Sequence, residues 1–187
     1  MKPTKIVGVI SFVAGLVMIV AGAVTWGVVT SQLKDERITV AADAAPVAGI
    51  KVAGKQVNGP ITAFGQAEII KHHAIAGADG KTYAELGALQ SKVKASAKEL
   101  GVEDLNSTDA DVVAKIEADP QLKELKGELA KYTAQRTTQM NGAFLRTSLF
   151  SSVITYGVAA FVMGMGLMNL LYGWGFFSLS RKERVAE

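Results

Sequence analysis

The chain has 187 residues, 49% of them hydrophobic, no cysteine and a formal net charge of +3. Without cysteine there can be no disulfide, thiolate metal site or cysteine nucleophile, and so small a charge does not point to nucleic acid. A mean hydropathy of +0.25 is more than a soluble domain of this length needs.

The apolar excess lies in two places. No Asp, Glu, Lys or Arg occurs from 6 to 33 (28 residues) or from 147 to 180 (34 residues). A spanning helix needs about 20 apolar residues, so each stretch predicts one crossing. The first helix is expected over about 6–30, with Trp26 near its outer end, where an interfacial indole is favoured. Lys2, Lys5 and the small pair Ala21 and Ala23 also fit a signal peptide. The uncharged run continues past Ala23 through Trp26 and Val29, too long for a signal core, so the helix is expected to be retained. Gly8, Gly15 and Gly22 recur every seven residues, a smooth stripe that lets another helix approach closely.

Residues 31–145 read as a water-soluble helical domain. Ile38-Thr39-Val40 suggests a short strand, and Pro46, Gly49, Gly54 and Asn58-Gly59 are turn signals. Helices are predicted over about 60–76, opened by Pro60; 82–100, stopped by Gly101; 108–118, where Thr108 and Asp111 have capping-box spacing; and 120–141. The seams Tyr83, Leu86, Gln90, Val93, Ala97, Leu100 and Leu122, Leu125, Leu129, Tyr132 repeat at three and four. They predict a hairpin of two antiparallel helices. The last helix can run on into the second span as a stiff stalk.

The second span, 146–179, is roughly 48 Å long as a helix, beyond the ~30 Å hydrocarbon core. It must tilt or project from the bilayer. Ser152, Ala159, Gly166 and Gly173 form a seven-residue stripe, and Gly157 and Gly164 a second. The two helices can pack on each other, or each stripe can face a foreign helix. Tyr172, Trp174, Phe176 and Phe177 make an aromatic belt. Basic residues in the tails 1–5 and 180–187 (Lys2, Lys5, Arg181, Lys182, Arg184) predict two cytoplasmic termini and an outer middle domain. The fold class is thus an all-α membrane protein: two transmembrane helices with an extracytoplasmic helical-hairpin domain, multi-pass in the plasma membrane.

Chemistry-bearing residues are few. Glu68 and His72 stand four apart on one helix, a spacing that can hold a metal, but two ligands do not complete a site. Gly80-Lys81-Thr82 lacks the first glycine of a phosphate loop, because position 75 is Ile75. The spans contain no ionisable group of the kind that marks proton or ion pathways. Asn169 reads as an interhelical hydrogen bonder, and Met163, Met165 and Met168 as adaptable packing groups. Arg146, at the outer boundary, either snorkels to the headgroups, the simpler reading, or pairs with a carboxylate or an anionic lipid. Catalytic, cofactor and metal residues are expected to be absent. The helix-packing residues are Gly8, Gly15, Gly22, Ser152, Ala159, Gly166 and Gly173, and the lipid or partner contacts Arg146, Trp26 and Trp174.

Several segments carry a family resemblance. They are Val24-Thr25-Trp26-Gly27-Val28-Val29, Ser31-Gln32-Leu33-Lys34, Val57-Asn58-Gly59-Pro60, Gln66-Ala67-Glu68-Ile69-Ile70, Gly80-Lys81-Thr82-Tyr83-Ala84-Glu85-Leu86 and Phe144-Leu145-Arg146-Thr147-Ser148-Leu149-Phe150. With them the chain resembles a family of small two-span actinobacterial membrane proteins, some labelled aromatic ring-opening dioxygenases. A mononuclear iron site of two His and a carboxylate is not readily built from these residues. The chain is similar, further, to the accessory subunit, or association factor, of the actinobacterial respiratory supercomplex. The likeness covers about 6–86 and 144–166, and the stretch 87–142 is longer than in the family. It implies a non-catalytic subunit without a cofactor, whose partners are subunits of cytochrome bcc and cytochrome c oxidase and membrane lipids. The alternatives are a free-standing cell-envelope scaffold or adhesion module, or a metal-binding enzyme using Glu68 and His72.

Overall fold

The computed structural model describes residues 3–185, with side chains as far as Ser180. Lys2 and the side chains of Arg181, Lys182 and Arg184, on which the expected orientation of the tails rests, lie outside the described residues. Five helices follow in order: α1 (Pro3–Asp35), α2 (Pro60–Gly77), α3 (Tyr83–Glu99), α4 (Ala110–Ala118) and α5 (Pro120–Val185). The described residues are all-helical apart from loops, and α1 and α5 are long and apolar enough to cross a membrane. Nothing interrupts α5 at Asn141-Gly142, and it continues for 66 residues.

Contacts divide the chain into two units, Met1–Gln66 with Ser148–Glu187, and Ala67–Thr147. The segment after α1 groups with the apolar helices because its own valines are buried there: Val40, Val52 and Val57 are almost wholly enclosed. Gly65 of α2 lies against them, since a Cβ there would stand 2.8 Å from Val52 Cγ2. The Gln66 side chain accepts a hydrogen bond from the Ala41 amide, and Phe64 meets Phe150 edge to face with centroids 5.8 Å apart. The strand expected at Ile38-Thr39-Val40 is only a single antiparallel bridge, Thr39 to Gln56. A tight turn causes this: Gly54 takes a positive φ of 73°, and its amide returns to the Val40 carbonyl, ending the ladder after one pair.

In the second unit α3 and α5 run antiparallel. Tyr83 meets Arg136, whose guanidinium lies 4.1 Å from the ring centroid, while Gln90 donates to Thr133 and accepts from Arg136. Beyond these polar contacts Val93, Ala97, Val102, Leu105, Ile116, Leu122 and Leu129 form one buried cluster, into which α4 inserts Ile116. Each turn carries its own stop signal. Gly101, with φ 77°, ends α3; the Val102 and Gly101 amides bond back to Ala97 and Lys98, the Schellman arrangement that a left-handed glycine permits. Asp119 accepts from the Gln121 and Leu122 amides and so caps α5 ahead of Pro120. The capping box expected at Thr108 is not formed there: Asp109 is the cap of α4 and accepts from Asp111 and Val112. Its carboxylate sits one residue closer to the open amides and outcompetes the hydroxyl. The capping box is instead at Thr82 and Glu85.

At the open end of this unit, Asp79 receives Lys131 at 3.0 Å and the Gln135 amide at 3.0 Å. These hydrogen bonds, Lys131 first, hold its carboxyl below the ordinary value, and the same contact raises Lys131. A carboxylate with a lowered folded pKa stabilises the fold above its unfolded pKa, and that contribution fades as pH falls through the folded value. An NMR titration of Asp79 is therefore expected to give a midpoint below about 3.9, moving up in Lys131→Gln; an ordinary midpoint in the parent chain contradicts the pairing. In the core, Ile116→Ala is expected to destabilise the hairpin by about 2–5 kcal/mol. Hydrogen exchange should then speed up through α4 while the α1 amides are unchanged; unchanged α4 exchange would refute this packing role.

Candidate functional site: the glycine seam of the apolar helices

A helix shielded from water gains little from burying more apolar surface, so helix pairs in lipid hold together by close packing. Small residues permit the closest packing, and α1 and α5 place theirs in register. The four contacts, from one end of the pair to the other, are Gly8 with Gly173, Gly15 with Gly166, Gly22 with Ala159, and Thr30 with Tyr156. The numbers rise on one helix and fall on the other, so the helices are antiparallel.

The middle of the seam is the tightest. A Cβ added at Gly15 would stand 2.6 Å from the Gly166 carbonyl oxygen, and one at Gly166 would stand 2.8 Å from the Gly15 oxygen. Real Cβ atoms do not come so close, so only glycine fits both positions. The reciprocal approach of Cα to carbonyl is the geometry of weak Cα–H···O bonds between helices. Gly22 is similarly confined, 2.8 Å from the Ala159 oxygen, with Met163 folded over it. Gly8 is looser, at 3.2 Å from the Gly173 oxygen.

Polar and aromatic groups close the two ends. The Thr30 and Tyr156 hydroxyls share a 2.7 Å hydrogen bond, and Tyr156 is almost fully buried. Trp26 stacks edge to face on Tyr156, with centroids 4.6 Å apart. Trp26 therefore packs within the helix pair, beyond the interfacial role its position suggested. Near the other end Phe12 meets Phe177 at 6.5 Å. Asn169 donates to the Met165 carbonyl and, at 3.8 Å, to the Met18 sulfur. The interhelical partner of that amide is thus a thioether, a weak acceptor.

The sequence left two roles open for the small stripes. Gly8, Gly15, Gly22, Ala159, Gly166 and Gly173 pack on one another within the chain, so they are not presented to a foreign helix. Ser152 is half-buried, and its hydroxyl bonds back to the Ser148 carbonyl. The second stripe is different: nothing lies within 4 Å of a Cβ at Gly157 or Gly164. Around it Ile154, Val158 and Phe161 are exposed, and Trp174 is 70% exposed farther along.

The second unit holds the remaining candidates. Glu68 and His72 both face outward on α2. Glu68 turns to Arg146 of α5, with 3.8 Å between Nη2 and Oε1. Arg146 thus has an in-chain carboxylate partner, where the sequence favours snorkelling. His72 stacks edge to face with His73 at 6.0 Å. No group of three or more His, Asp or Glu able to hold a metal occurs among the described residues. Sequence reasoning missed Asp79 as a polar hub of the hairpin. It also missed the Thr82 cap, whose Thr-Tyr-Ala-Glu spacing is the usual signal.

Comparison of the chain with protein-family models, curated proteins and solved structures found no match.

The seam predicts a graded response. Gly15→Ala is expected to destabilise the helix pair by about 1–3 kcal/mol through overpacking, Gly8→Ala less, and Gly157→Ala not at all. Unfolding in detergent, followed by Trp26 fluorescence in a Trp174→Phe background, measures this. Equal effects at Gly15 and Gly157 would rule the seam out.

Proposed function

We propose that this protein is a non-catalytic accessory subunit of a respiratory electron-transport supercomplex, joining cytochrome bcc to cytochrome c oxidase by helix packing. In this reading α1 and α5 cross the plasma membrane, both termini are cytoplasmic, and the helical hairpin lies outside. The observation that carries it is the seam. Its glycines are occupied within the chain, which makes the two apolar helices a preassembled pair. The outer faces of that pair carry no Asp, Glu, Lys, Arg or His through 6–33 and 147–180. Such faces suit packing against other membrane helices and offer no proton or ion path. The family likeness at 6–86 and 144–166 is the ground on which these partners are proposed.

Gentle purification through a tag on the chain, followed by mass spectrometry, is expected to recover subunits of both cytochrome complexes. Deletion should loosen their association and lower oxidase activity without removing any haem or copper signal. A chain that is monomeric and partner-free in mild detergent would sink this reading. Cross-links mainly to soluble envelope proteins would favour an envelope scaffold.

A further inference from the structure

We propose that a cleft in the second unit, between α2 and α5, binds the phosphate headgroup of an anionic phospholipid. This rests on the reading that 147–180 crosses a bilayer, and does not depend on the respiratory partners.

Lys71 from α2 and Arg146 from α5 line one cleft of about 110 Å³, together with Thr82 and Gln139. A single bound water needs only ~10–15 Å³ of such space, so the cleft admits a phosphate group. Its floor is narrow and firm. Gly142 lies so close to α2 that a Cβ there would stand 3.0 Å from the Ala74 Cβ. Gln139 spends both amide hydrogens on the Ala74 and Lys81 carbonyls, so it fixes the wall and leaves recognition of an anion to the two cations.

Position along α5 selects the kind of anion. Arg146 is the last charged residue before the uncharged run, which puts it at headgroup depth if that run crosses the bilayer with the tilt its length allows. Phe144 and Leu145, immediately before it, are 67% and 56% exposed. Acyl chains would cover such side chains, whereas a free phosphate would not. The Glu68 contact, at 3.8 Å, is longer than a charge-assisted hydrogen bond. An anionic headgroup would add its oxygens to the contacts Arg146 already makes, with Lys71 as the second cation of the cleft. A basic cleft at the boundary of a spanning helix is a recurring way of holding anionic lipid.

Native mass spectrometry of the full chain, released from nanodiscs of mixed phosphatidylglycerol and phosphatidylcholine with matched acyl chains, tests this. Retained phosphatidylglycerol is expected. Retention should fall roughly tenfold in Lys71→Gln/Arg146→Gln, given the usual worth of basic groups at an anionic surface. Lys71→Gln alone, which keeps the Arg146–Glu68 pair, should show an intermediate loss, and Lys92→Gln/Lys94→Gln none. Equal retention of the two lipids, or no loss in the double variant, would overturn the proposal. So would thermal stabilisation by inorganic phosphate equal to that by phosphatidylglycerol, which would mark a free-anion site. Release of the chain from membranes by alkaline carbonate would instead refute the spanning reading itself.

Discussion

Everything in the apolar part of this chain depends on two peptide backbones touching at Gly15 and Gly166. A side chain at either position would meet a carbonyl oxygen of the other helix. The approach is affordable only because neither residue has a Cβ. Once it is made, neighbouring positions follow at seven-residue steps, and Ala159, Gly173, Gly8 and Gly22 fall into the same seam. Water does not drive this contact in a bilayer; packing and short-range polar attraction do. A weak but shape-specific interaction is thereby repeated along the pair until Thr30, Tyr156 and Trp26 close it.

The hairpin unit is held by different physics. Its cluster around Ile116, Leu122 and Val93 gains from removing apolar surface from water. Of its polar contacts, the Asp79–Lys131 pair is solvent-exposed and sets register more than stability, whereas the Gln90–Arg136 hydrogen bond is half-buried. Caps at Thr82, Asp109 and Asp119 and the left-handed Gly101 fix where each helix begins and ends. The same helix, α5, therefore carries two kinds of sequence: a charged amphipathic part to Arg146, and an uncharged part beyond it.

Much of this was legible in the residues, for stated reasons. The 28- and 34-residue gaps in charge mark α1 and the later part of α5, because a single ionisable group there would be costly. Pro60, Gly101 and Asp119-Pro120 mark helix ends through backbone restrictions that act locally. The glycine stripes were visible as a repeat, but their partner was not: periodicity shows that a face is smooth, and says nothing of what lies against it. The pairing of Arg146 with Glu68 was hidden for the same reason, since they are 78 positions apart. The short strand failed because β propensity at Ile38-Thr39-Val40 cannot report that a turn ends the ladder after one bridge. Spacing alone points to Thr108 as a cap, while the competing carboxylate of Asp109 one residue on decides the geometry.

The account can be tested at its centre by proton NMR of the full chain in lipid nanodiscs, with selectively labelled glycine. Cross-peaks between the α-protons of Gly15 and Gly166, and weaker ones between Gly8 and Gly173, are what the seam requires. If those are missing and Gly157 or Gly164 gives the contacts to α1, the helices meet through another face and the structure described above is wrong.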